Sequence, residues 1–190
     1  MKTQTIHIKN MCCQRCIEAV QTELSGLGLK VEEVKLGEVS FAENSRIKLS
    51  EIESILQKRG FELIVSQEAR IVETVKIILI EMVHQSKVNH DYKIHLPEFL
   101  EQILKKPYRS IYKLFLSHTK LTVEKYFILQ RIEKVKELIE QDEFNFSEIA
   151  EIAGFKTLQH LSAQFKKITG MNMIEYKKSE SKNSKKIDEI

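Results

Sequence analysis

Three thiols stand within five residues, at Cys12, Cys13 and Cys16, and the sequence contains no other cysteine. No disulfide framework can therefore staple this fold, and the thiols form one local site or none. They run directly into Ile17, Val20 and Leu24, whose spacing is that of one face of a helix. Two thiols three residues apart at a helix start, here Cys13 and Cys16, can point at one ion, and the helix dipole favours their thiolate form. Soft thiolates select soft metals. A loop offering two sulfurs suits a low-coordinate ion such as Cu(I) better than Zn(II), which takes four ligands. Cys12 adds a third thiol that either ligates or faces solvent. A redox pair is the competing chemistry, but the aromatic and proline residues typical of dithiol oxidoreductase motifs are missing. A structural zinc site would need a fourth ligand, and only His7 is near in sequence. His84, His90, Asp91 and His95 form a second candidate cluster. Steps of six and five residues between its histidines put no two ligands on one helical face, so it reads as a linker.

The elements that hold the cysteines follow from hydrophobic period. Thr3 to Ile8 alternates, with Ile6 and Ile8 on one face of a strand, and the helix after Cys16 stops at Gly26 and Gly28. Val31, Val34, Leu36, Val39 and Phe41 surround Leu36-Gly37-Glu38, which predicts two strands and a short turn. Ser50 with Glu53 predicts a capping box before Ile52, Ile55 and Leu56; Gly60 ends that helix, and Phe61 to Val65 follows as a strand. The order is βαββαβ, that of a ferredoxin-like sandwich able to close a small core in about 65 residues. Met11-x-Cys13-x-x-Cys16 between the first strand and first helix, with Gly60-Phe61 later, resembles the heavy-metal-associated domain family of copper chaperones and transporters. That resemblance covers residues 3–65 and implies that Met11 plugs the core while Cys13 and Cys16, with Cys12 as a candidate third ligand, bind a soft metal ion such as Cu(I). Asn10 stands where that family usually has Gly.

Beyond Glu68 the period becomes helical. Ile71, Val75, Ile78, Leu79 and Met82 mark a helix of some four turns, and a polar stretch follows from Gln85 to Lys93. Leu96, Phe99, Leu100 and Ile103 predict a second helix stopped by Pro107, and Ile111, Leu114 and Phe115 a third. Phe127, Ile128, Ile132, Val135, Leu138 and Ile139 belong to a long helix. Asn145 with Glu148 then caps a short one that Gly154 breaks. Leu158, Leu161, Phe165 and Ile168 define one more helix, ending at Gly170. The expected fold class is α+β: a βαββαβ ferredoxin-like domain at residues 1–66, a connecting helix and linker at 67–95, an all-α domain with two helix-turn-helix motifs at 96–178, and a polar tail at 179–190.

The run Phe146-Ser147-Glu148-Ile149-Ala150-Glu151-Ile152-Ala153-Gly154-Phe155, continuing through Phe165-Lys166-Lys167-Ile168-Thr169-Gly170 to Tyr176, resembles the second motif of AraC/XylS-type transcription regulators. The likeness covers about 110 residues, and Arg131-Ile132 with Val135 resembles the family's linker helix. It implies that Leu158, Gln159, His160 and Ala163 face the major groove, with Lys166 and Lys167 near phosphate, and that Arg109, Tyr112 and Lys113 do the same work in the first motif. Ala163 stands where Arg is common, so the strongest guanine reader is absent there. Lys105-Lys106-Pro107-Tyr108 replaces a small-residue turn, and Lys120 replaces a Gly.

Composition agrees with two small units rather than one large enzyme core: 190 residues, 42% apolar, 30% charged, 2 Pro and 6 Gly. Residues 1–66 carry nine basic and nine acidic side chains, so the net charge of +3 lies entirely in residues 67–190. The run Val75 to Val83 is broken by two charges and is far short of the 18 or so residues a membrane span needs. No secretory leader pattern opens the chain, so the cytoplasm is expected. No Ser/His/Asp set, phosphate-cradling Gly loop or HExxH occurs, and no enzymatic activity is expected. The sequence thus points to a regulator of promoter DNA with a metal-type module in front. Two alternatives stay open: a regulator whose front module is vestigial, and a metal-trafficking or storage protein whose helical half docks another protein.

Overall fold

The computed structural model describes residues 3–42, 47–84 and 95–179. The tail expected at 179–190 lies outside the described residues from 180 onward, as do Gln85 to Lys93, with His90 and Asp91 among them. By the density of its contacts the chain divides into two compact units, residues 1–78 with 104–120 and residues 79–103 with 121–190.

In the first unit, β1 (Thr3–Lys9), α1 (Gln14–Gly26), β2 (Val31–Lys35), β3 (Glu38–Ala42), α2 (Leu49–Lys58) and β4 (Glu62–Leu63) follow one another along the chain. The strands form one antiparallel sheet in the order β2-β3-β1-β4. Strand alternation puts Ile6 and Ile8 of β1 and Val39 and Phe41 of β3 on one face, where they meet Val20 and Leu24 of α1 and Ile52 and Leu56 of α2. That cluster also buries Met11 and Phe61.

Two local expectations change. Helix α2 begins at Leu49 with Lys48 at its N-cap and no side-chain cap, so the Ser50/Glu53 capping box does not form. The N–H groups of Glu51 and Ile52 already bond the Lys48 carbonyl, which leaves Ser50 inside the first turn. The strand expected over Phe61 to Val65 shortens to Glu62–Leu63 because Phe61 N–H bonds the Leu56 carbonyl as part of the helix end, and Val65 is exposed.

Helix α3 (Gln67–His84) is longer than the periodicity predicts, 18 residues, with Val72 and Val75 buried. Its residue Ile77 lies against the β2–β3 turn, where a Cβ on Gly37 would fall 2.4 Å from the Ile77 Cδ1. Gly37 takes φ +75°, which a side chain would hold only under strain, and an added Cβ would also push the tip of Ile77 aside. After α4 (Leu96–Leu104) comes α5 (Tyr108–Thr119), with Ile111 and Phe115 buried.

The second unit is helical. The long α6 (Val123–Gln141), the short α7 (Phe146–Ile152) and α8 (Leu158–Thr169) pack on one another, and residues 173–179 add a last short helix. Their common core joins Ile132, Val135 and Ile139 of α6, Ile149 and Ala150 of α7, and Leu161 and Phe165 of α8. Among the described residues no helix is long and apolar enough to cross a membrane.

Candidate functional site

The α7–turn–α8 segment is built by caps at each end. Asn145 accepts from the N–H groups of Ser147 and Glu148, and the Glu148 carboxylate accepts from the Asn145 N–H at 2.8 Å, so the predicted capping box is complete. At the other end of α7, Phe155 N–H donates to the Ala150 carbonyl at 2.7 Å and Gly154 adopts φ +71°. Glycine reaches that left-handed conformation without strain, which lets the chain reverse within three residues. Thr157 then caps α8, accepting from His160 N–H at 3.1 Å. Leu161 and Phe165 point into the core, and that stripe holds α8 down.

The opposite side of α8 is open. Gln159, His160, Ala163, Lys166 and Lys167 are exposed, and Leu158 is half-buried at the edge of the core cluster. His160 is not a bare surface imidazole, since its ring meets Phe155 edge-on at 5.6 Å between centroids. In α5, Arg109 and Lys113 are exposed and Tyr112 is half-buried, its ring 6.2 Å from that of Tyr108. Each helix thus carries polar side chains outward from an apolar stripe, an arrangement suited to a groove lined with phosphates and base edges.

Sequence reasoning noted Arg131 as part of the linker helix but not as the residue that fixes the turn. Arg131 of α6 donates from Nε to the Ala153 carbonyl at 2.7 Å, and its guanidinium carbon lies 3.8 Å from the centre of the Phe155 ring. Phe127 flanks the same group at 5.7 Å. One side chain therefore binds both sides of Gly154. A signal was present: Arg131 falls between Ile128 and Val135 at three- and four-residue steps, on the apolar face of α6, where a charge needs a reason. At the far end Tyr176 donates to Glu140 at 2.7 Å and Lys177 pairs with Asp142, so Lys177 grips the end of α6.

At the front, Cys13 is the N-cap of α1 and Cys16 lies in its first turn. The Sγ atoms of Cys13 and Cys16 are 3.7 Å apart, those of Cys12 and Cys16 3.8 Å, and all three lie within 4.8 Å of one another. This cluster could hold a metal ion, and the donor set is soft. Cys12 and Cys13 are exposed, Cys16 half-buried. Partial desolvation, with Cys16 and Cys13 alongside, pushes the Cys12 thiol up to about 12. Burial acts to raise Cys16 as well, but hydrogen bonds from the backbone of Cys12 and Cys13 outweigh it and hold that thiol below its ordinary value.

The loop is anchored by Asn10, noted in the sequence only as a departure from Gly, and by Glu73, which the sequence did not single out. Asn10 stands at φ +72°, its side-chain amide donates to the Gly60 carbonyl at 2.9 Å, and its N–H donates to the Glu73 carboxylate at 3.0 Å. Glu73, a buried residue of α3, also receives Lys76 at 3.1 Å. A carboxylate beside the buried Val72 and Val75 was the available hint.

Comparison with known proteins agrees with the helical part. Residues 100–179 match the family model of a helix-turn-helix domain. The C-terminal domain of AraT, a response regulator from Geobacillus stearothermophilus, is similar at 22% identity and TM-score 0.50, over 60% of this chain and 88% of that one. That likeness supports the fold. The C-terminal domain of the two-component response regulator yesN from Fusobacterium nucleatum matches at 23% identity and TM-score 0.46, over 55% of this chain and 95% of that one. The DNA-binding domain of AdpA, a global transcriptional factor solved with a target DNA, matches at 20% identity and TM-score 0.46, over 60% and 93%. No curated protein matches the chain.

Proposed function

We propose that the chain is a sequence-specific DNA-binding transcription regulator of AraC/XylS type, with double-stranded promoter DNA as its partner and a soft metal ion as its effector. The observation that carries the DNA reading is α8: a helix capped by Thr157, locked to α6 by Arg131 through the turn, and open along Gln159, His160, Ala163, Lys166 and Lys167. Gln159 is the candidate for bidentate adenine contact, and Ala163 for a thymine methyl. Lys166 and Lys167 serve phosphate, and Arg109, Tyr112 and Lys113 serve the first motif.

The metal reading rests on the thiol cluster, on Met11 buried beneath it, and on a strand order that suits a ferredoxin-like, heavy-metal-associated module. The path from that site runs through Asn10 to Glu73 on α3, so an ion that reshapes the loop acts on the helix leading out of the sandwich. Coupling needs two states of that helix with unequal metal affinity.

Mapping the chromosomal sites bound by the full chain, followed by gel shifts on those fragments across a salt series, tests the DNA half. About six neutralised phosphates predict a steep loss of affinity with salt, and a flat response would point to the metal-trafficking alternative. Replacing Cys13 and Cys16 with Ser and comparing promoter output with and without copper tests the effector half. An unchanged response would sink it and leave a regulator with a vestigial front module.

A further inference from the structure

The cysteine loop offers more than the pair that its motif singles out. Around an ion with thiolate bonds of about 2.3 Å, two sulfurs in line stand about 4.6 Å apart, three in a plane about 4.0 Å, and three at the base of a pyramid less. Cys12 stands as near to Cys16, at 3.8 Å, as Cys13 does, at 3.7 Å, and all three sulfurs lie within 4.8 Å of one another, close enough to share one ion. Among the described residues no His, Asp or Glu ligand atom joins the group, so the donor set is sulfur alone. With Cys12 and Cys13 exposed and Cys16 half-buried, the triangle opens to solvent on one side.

We propose that Cys12 is a ligand and that Cys12, Cys13 and Cys16 form a three-thiolate site for a trivalent thiophilic ion of the arsenic and antimony class, which binds three sulfurs on one side and leaves its lone pair to solvent. This rests on reading the front unit as a soft-metal module. Arsenic(III) arrives as the neutral trihydroxide. Each thiol proton joins one hydroxide, three As–O bonds break, three As–S bonds form and three waters leave, with no change in oxidation state. Cu(I), content with two thiolates, needs only Cys13 and Cys16.

The test uses the full chain, reduced and kept free of oxygen, titrated with arsenite and separately with Cu(I). Thiols that remain reactive are counted, and sulfur neighbours are counted by X-ray absorption. Because the chain has three cysteines in all, the residual thiol count reports the ligand number directly. One equivalent of arsenite is expected to protect all three thiols and to show three As–S bonds. Losing a direct ligand costs at least what losing an outer-shell partner does, so Cys12→Ser should weaken arsenite on the order of 100-fold or more. The same variant should still bind Cu(I) through Cys13 and Cys16, which also shows that it is folded. Arsenite that leaves Cys12 reactive, or a Cys12→Ser chain that binds it as tightly as the parent, overturns the inference and leaves the soft-metal reading standing. If neither arsenite nor Cu(I) protects any thiol, that underlying reading fails with it.

Discussion

Asn10, Lys105, Lys120 and Asp142 are the non-glycine residues in the left-handed region among the described residues. Asn10 and Lys120 have φ of +72° and +60°, a conformation glycine takes without strain. Asn10 offsets the strain through two hydrogen bonds, to Gly60 and Glu73. Asn tolerates this conformation better than other side chains do. Asn10→Ala should cost about 1–2 kcal/mol, read as a lower urea midpoint of the transition that includes the sheet. Asn10→Gly, which removes the strain together with the Gly60 bond, should cost less. Lys120 ends α5 by donating its N–H to the Leu116 carbonyl at 2.9 Å, work that glycine does without strain. Lys120→Gly should therefore raise thermal stability by up to about 1 kcal/mol, measured as an increase in Tm, and a decrease would contradict the strain argument.

Elements form where local signals and burial agree, and α7 and α8 are the clearest case. The Asn145 capping box, the turn at Gly154 and the stripe Leu161–Phe165 each name the same boundaries. What fixes the turn is a tertiary contact. Arg131 stands 22 residues before Ala153, and a bond between them leaves no mark in local periodicity beyond one charge on an apolar face. The prediction is that Arg131→Met lets α8 shift, weakening base contacts worth roughly 1–3 kcal/mol each. Affinity for a mapped site should then fall on the order of tenfold. Since Arg131 is a positioning residue, the slope of affinity against salt should stay unchanged; a reduced slope would mean that it touches phosphate instead. The same distinction explains the failures at α2 and β4. Ser50 and Glu53 have the right spacing for a box, but Lys48 begins the helix two residues earlier. Phe61 has the right type for a strand, but its N–H closes the preceding helix. Competing backbone partners, invisible to a count of residue types, decided both. The cysteines, the open face of α8 and most helix spans were legible because each depends on short-range spacing. Glu73 and Arg131 were not, because their roles depend on partners 63 and 22 residues away.

For the molecule as a whole, charge supplies the sharpest expectation. The net +3 resides wholly outside residues 1–66, and Lys166 and Lys167 are exposed on α8. Removing one lysine that neutralises a phosphate should lower the salt slope of DNA binding by about 1. Lys166→Ala with Lys167→Ala should therefore flatten the slope by about 2 and weaken binding nearly equally on matched and scrambled sites, measured by gel shift. Gln159→Ala should instead narrow the difference between those sites and leave the slope alone. Neither compact unit is a continuous stretch of backbone: residues 104–120 are grouped with 1–78, and 79–103 with 121–190. The polypeptide consequently passes from one unit to the other three times. A fragment stopped after residue 78 would lose α5 with its buried Ile111 and Phe115, so truncation there removes apolar side chains grouped with the residues that remain.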